Sequence, residues 1–84
     1  MAYEILFEEE AAEALAKLDG AVRTRVAKVI DRLAENPRPG QATQLVTDAG
    51  TWRIRTGDWR ILYEIHDDRL VVLVLDVQHR SRAY

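Results

Sequence analysis

Trp52-Arg53-Ile54-Arg55-Thr56-Gly57-Asp58-Trp59-Arg60-Ile61-Leu62-Tyr63-Glu64-Ile65 is the stretch whose reading decides the fold. Two runs of period two flank Gly57-Asp58, a two-residue turn with glycine first, where a hairpin wants a positive φ. Residues 51–56 and 59–65 therefore read as antiparallel strands. A two-residue turn also fixes their register: Thr56 faces Trp59, Arg55 faces Arg60, Ile54 faces Ile61 and Arg53 faces Leu62. Side chains alternate across a strand, so Arg53, Arg55 and Arg60 share one face. Trp52, Trp59 and Tyr63 fall on the other face, where they read as core rather than as a platform for stacking bases.

Downstream, Asp67-Asp68 marks a second turn. Residues 70–78 read as a third strand, and the run Leu70-Val71-Val72-Leu73-Val74-Leu75 is apolar on both faces, as expected of a central strand. Upstream, residues 2–7 read as a short strand. Residues 8–18 read as a helix with Ala11, Leu15 and Leu18 on one face and three glutamates at its positive end. Asp19-Gly20 breaks it. A second helix over 21–35 carries Val22, Val26, Val29, Ile30 and Leu33 as one apolar stripe and stops at Asn36-Pro37. Residues 38–43 are loop, with a weak strand over 44–47. The expected architecture is α+β: an N-terminal strand, a two-helix hairpin, then an antiparallel meander of three to four strands packed on the helices.

The 84 residues make one domain, 1–84, with 48% hydrophobic and 31% charged residues. There is no cysteine, which excludes disulfides and thiolate metal sites. No apolar run approaches a membrane span, and the first residues lack a signal-peptide pattern, so a cytoplasmic location is expected. The net charge of −2 hides a gradient: residues 1–20 hold six acids against Lys17 alone, whereas residues 21–84 hold eleven bases and eight acids. Electrostatic binding follows the local field, so the acidic end leaves room for an anionic partner elsewhere.

Arginines directly opposed on neighbouring strands repel, by ~0.8 kcal/mol for unit charges about 5 Å apart in water. As solvated strand residues they would simply cover the sheet with their stems, with Asp58, Glu64 or Asp76 neutralising them. As a binding patch they would grip phosphate, which the planar guanidinium fork meets with two hydrogen bonds. The closing segment His79-Arg80-Ser81-Arg82-Ala83-Tyr84 adds two arginines, a histidine and a tyrosine. It reads either as a frayed, solubilising tail or as groups that exchange a proton and stack on a base. A last strand running beside 59–65 would carry this segment to the Arg60 end of the sheet.

Residues 52–65 resemble the central signature of the RelE/ParE superfamily of bacterial and archaeal toxins. Leu73-Val74-Leu75-Asp76-Val77-Gln78-His79-Arg80 followed by Tyr84 is similar to its C-terminal signature. The resemblance implies the RelE-like fold and the toxin half of a type II toxin–antitoxin pair. Within that superfamily RelE-like members cleave mRNA in the ribosomal A site, and ParE-like members poison DNA gyrase. The basic closing segment and its tyrosine favour the mRNA interferase branch, a ribosome-dependent endoribonuclease acting by 2′-hydroxyl attack without metal or other cofactor. Carried over residue by residue, the resemblance implies Arg60 and Arg80 as charge stabilisers. It places Arg53 and Arg55 on flanking phosphates and Tyr84 on a base or a proton; Arg82, in the same basic closing segment, is a further RNA-binding candidate. RelE-like enzymes commonly have lysines where this chain has Arg53 and Arg55, and arginine does not give up its proton. His79 is therefore the substitute for the general base, while His66, at the opposite turn, reads as structural. The implied partners are a cognate antitoxin, mRNA on the ribosome with 16S rRNA contacts, and operator DNA through the antitoxin alone; no membrane is implied. A gyrase poison and a non-catalytic member that binds only antitoxin and operator are the competing readings.

Overall fold

The computed structural model describes residues 2–47 and 50–82, without the side chain of Arg82. The chain runs β1 (Glu4–Phe7), α1 (Glu9–Ala16), α2 (Gly20–Leu33), β2 (Thr43–Gln44), β3 (Trp52–Thr56), β4 (Trp59–His66), β5 (Val71–His79) and a closing 3-10 turn (Arg80–Arg82). The strands form one five-stranded sheet in the order β1-β5-β4-β3-β2. From β2 to β5 it is the expected antiparallel meander. At the sheet's other edge β1 lies parallel to β5, with Glu4 beside Val71 and Phe7 beside Val74, and the two helices carry the chain from there across to β2. The sheet is thus mixed.

Both helices bury their apolar stripes on one face. Ala11, Val26, Ile30 and Leu33 meet Ile54, Ile61, Tyr63, Val72, Val74 and Val77, and Trp52 and Trp59 pack against the same cluster. Asn36-Pro37 lies just beyond α2, and the buried Tyr63 hydroxyl donates to the Pro37 carbonyl at 2.7 Å. That bond fixes the connection leaving α2 against the middle of the sheet. The weak strand expected over 44–47 is shorter and earlier, because pairing to β3 stops at Gln44 and Val46 is 98% exposed.

Two local features position the site. Gly57 has φ +59, which a side-chain-bearing residue adopts only with strain, and a Cβ there would stand 3.0 Å from the Arg25 guanidinium. β5 carries a bulge: Leu62 pairs with Asp76 but Tyr63 pairs with Val74, so Leu75 is an extra residue. The bulge lets Val72, Val74 and Val77 all face the helices although their spacing is not a multiple of two. No helix among the described residues is long and apolar enough to cross a membrane.

Candidate nucleic-acid interface

The hairpin register is the one its turn demands: Thr56 opposite Trp59, Arg55 opposite Arg60, Ile54 opposite Ile61 and Arg53 opposite Leu62. Ile54 and Ile61 are buried under the helices, so Arg53, Arg55 and Arg60 occupy the reverse face of the sheet. Their environments differ. Arg55 is exposed, Arg53 is half-buried, and Arg60 is 7% exposed. Arg60 sits between Arg55 on β3 and Gln78 on β5, so its side chain is largely buried in the sheet.

The acids near this face each have a partner other than Arg53 or Arg55. Asp76 accepts from the Val77 N–H at 2.8 Å and from Gln78 Nε2 at 2.9 Å. Glu64 lies 3.0 Å from His66 Nε2. Asp58 stands 3.8 Å from Arg80 Nε, with both side chains more than half exposed, and such a pair contributes ~0–1 kcal/mol. No ion pair between described residues joins an acid to Arg53 or Arg55.

Arg80 arrives at the same end of the sheet. Its backbone N–H donates to the Asp58 carbonyl at 2.7 Å, tying the closing 3-10 turn to the β3–β4 turn. His79 does not join the arginines. It pairs with Trp59, whose ring it meets edge-on at 5.0 Å, and Trp59 packs on the helix side. The Ser81 backbone N–H donates to His79 Nδ1 at 3.3 Å, with Ser81 Oγ 2.9 Å away. A backbone N–H only donates, so Nδ1 is the acceptor and the ring proton sits on Nε2. The expected proton acceptor is thus turned away from Arg60 with its lone pair occupied. His66 does lie on the arginine face, but six residues along β4 from Arg60, roughly 20 Å. Tyr84 and the Arg82 side chain lie outside the described residues.

Two features escaped the sequence reading. Arg38 makes a two-pronged contact with Asp67, at 3.2 and 2.7 Å, and lies 5.6 Å from the Trp52 ring centroid; Tyr3 donates to the same Asp67 oxygen at 2.6 Å. The Arg38 hydrogen bonds, followed by that from Tyr3, pull the Asp67 carboxyl down to about 2, and Asp67 in turn raises Tyr3. Burial pushes the Tyr63 phenol up to about 12. The second feature is a basic row on α2, Arg25, Lys28 and Arg32, legible in sequence as i, i+3, i+7. No group of three or more His, Cys, Asp or Glu side chains that could hold a metal occurs among the described residues.

A helical pair backing one face of a five-stranded sheet, with Arg53, Arg55 and Arg60 on the open face and no ion pair among the described residues joining an acid to Arg53 or Arg55, defines a small α+β domain with a local basic patch. A family model described as the ParE toxin of the type II toxin–antitoxin system parDE matches residues 5–84. The mRNA interferase toxin RelE of Escherichia coli K12 is 32% identical over 85 residues, covering 99% of this chain and 88% of that protein. The isolated E. coli RelE toxin superimposes with a TM-score of 0.85 at 27% identity, over 98% of this chain and 88% of that one. The toxin–antitoxin complex RelBE2 of Mycobacterium tuberculosis gives 0.84 at 29% identity, over 95% and 100%. This chain belongs to the RelE/ParE superfamily and is a toxin of the type II toxin–antitoxin class.

Proposed function

We propose that this toxin is a ribosome-dependent endoribonuclease that cuts mRNA in the A site, and that an antitoxin partner restrains it. The observation that carries the reading is the direct opposition of Arg55 and Arg60, with Arg53 beside them, on the face the helices leave open. In the proposed reaction the 2′-oxygen of a bound nucleotide attacks its own 3′-phosphorus. The bond from phosphorus to the 5′-oxygen breaks, the 2′-hydroxyl loses its proton and the departing 5′-oxygen gains one. The products are a 2′,3′-cyclic phosphate and a 5′-hydroxyl.

Phosphorus carries extra negative charge in the transition state, and donors fixed in advance stabilise it most. Arg60, held in the sheet, and Arg80, tethered at the β3–β4 turn, supply that charge. Arg53, Arg55 and Arg82 hold flanking phosphates, and Tyr84 stacks on a base or assists proton transfer. His79 acts from the other side of β5 by bracing Trp59 and the start of the closing turn, so it positions Arg80 rather than taking the proton. Removing one fixed donor lowers the rate by ~10²–10³.

The test is induction of the chain alone in bacteria, with cut sites mapped on a translated message and on the same message with its start codon removed. Cuts confined to the translated message, weakened about 100-fold or more by Arg80→Ala, are expected. Equal cutting of both messages, or full activity in Arg80→Ala and Arg60→Lys proteins that fold normally, refutes the proposal. The ParE description of the matching family favours one second reading, a gyrase poison in which the arginines only contact a protein. Inhibition of purified gyrase without RNA cleavage would establish it.

A further inference from the structure

On the open face, strand pairing fixes two adjoining cross-strand rows: Arg55, Arg60 and Gln78, then Arg53, Leu62 and Asp76. Directly paired residues share a face, so Asp76 belongs with the arginines. The bulge at Leu75 puts it there: counted as a regular strand from Val74, Asp76 would face the helices. Its side chain is half-buried and held at both oxygens, Oδ1 by the Val77 N–H at 2.8 Å and Oδ2 by Gln78 Nε2 at 2.9 Å. A carboxylate offers about four lone-pair positions, so each oxygen keeps room to accept another proton donor. Leu62, half-buried between Arg53 and Asp76, gives the row an apolar centre.

We propose that Asp76 is the general base of the cleavage, an inference that rests on the nuclease reading above. The arginines cannot take up the 2′-hydroxyl proton. His79 lies on the helix side with Nδ1 occupied. Glu64 and His66 bond each other and stand four and six residues along β4 from Arg60, roughly 13 and 20 Å. Asp58 is exposed at the turn beside Arg80. Asp76 lies diagonally across from Arg60, roughly 7–8 Å away along the sheet. With Arg60 on the scissile phosphate and Arg53 on the phosphate before it, the ribose between them spans Leu62 and comes within reach of the carboxylate. Asp76 takes the proton as the 2′-oxygen bonds to phosphorus. The bond to the 5′-oxygen breaks, that oxygen takes a proton from water, and the hydroxide left behind collects the proton from Asp76.

The test is single-turnover cleavage of a short message on ribosomes by the full chain. Asp76→Asn should slow the chemical step about 100-fold or more. Its affinity for ribosomes carrying the same message with a 2′-methoxy group at the scissile nucleotide should stay within about twofold of the parent's, which also verifies that it folds. Added formate should restore cleavage by Asp76→Ala, and chloride at the same ionic strength should not. On a message whose scissile 5′-oxygen is replaced by sulfur, a leaving group that needs no proton, the Asp76→Asn deficit should persist; its disappearance would place Asp76 at the other end of the reaction and overturn the proposal. Glu64→Gln should cut like the parent. A parent that cuts, with Asp76→Asn cutting as fast, overturns the role of Asp76 alone, as does a loss confined to Asp58→Asn or Glu64→Gln. A parent that leaves the message whole overturns the nuclease reading and this inference with it.

Discussion

Arg55→Gln should make the free protein more stable while impairing its activity. Arg55 stands directly opposite Arg60, with Arg53 two residues away on the same face. Unit charges about 5 Å apart repel by ~0.8 kcal/mol at the dielectric of water and ~3 kcal/mol at an effective dielectric near 20. Arg55 is exposed and can splay, whereas Arg60 is 7% exposed, so the lower end applies: about 0.5–1 kcal/mol. For a domain of this size each kcal/mol moves Tm by roughly 4–8 °C, which gives a rise of about 2–8 °C. Thermal unfolding followed by circular dichroism at low salt reads the shift. It should shrink toward zero near 1 M salt, where the screening length falls to about 3 Å. The same variant should cleave translated message more slowly. A variant less stable than the parent at low salt, or a gain that salt does not diminish, would refute the idea that this face stores electrostatic strain for an anion to relieve.

Three further outcomes are expected. Tyr63→Phe strands the buried Pro37 carbonyl and should cost about 1–3 kcal/mol in urea unfolding. The parent should also lose stability between pH 10 and about 12, as the unfolded phenol ionises before the buried one, and the Phe variant should lack this loss. Asp67 is held at about 2, below the ordinary carboxylate, so its contribution is present above about pH 4 and fades as pH falls toward 2. Asp67→Asn should lower Tm at pH 7, and the two proteins should converge in acid titrations near pH 2. Gly57→Ala forces alanine into a positive φ and should lower stability by about 1–2 kcal/mol; Gly57→Asn should cost visibly less, and equal Tm values for the two would contradict the turn assignment.

The hairpin was legible because glycine first in a two-residue turn sets a register, and alternation then assigns each arginine a face. The helices were legible from their stripes, although the chain leaves helical geometry about two residues inside both expected ends. The parallel place of β1 was not, since nothing local to residues 4–7 says which edge they join. Nor was the side on which His79 lies. Counted as a regular strand from Val72, it belongs with Arg60; Leu75 breaks that count, and a run apolar on both faces gives no sign of where the extra residue sits. The clasp at Asp67 joins residues 29 and 64 positions away in sequence, a distance that no periodicity reports.

That clasp has a practical corollary for handling the protein. Tyr3, Arg38 and Asp67 fasten the end of the sheet where the chain enters, whereas the 3-10 turn at Arg80–Arg82 emerges beside the arginines, about eight strand residues or some 26 Å away. An affinity tag or reporter attached ahead of Tyr3 lies at the anchored pole and leaves the arginine pole open. The same cargo attached beyond the closing 3-10 turn would crowd it, so amino-terminal fusions are the ones to use in cleavage measurements.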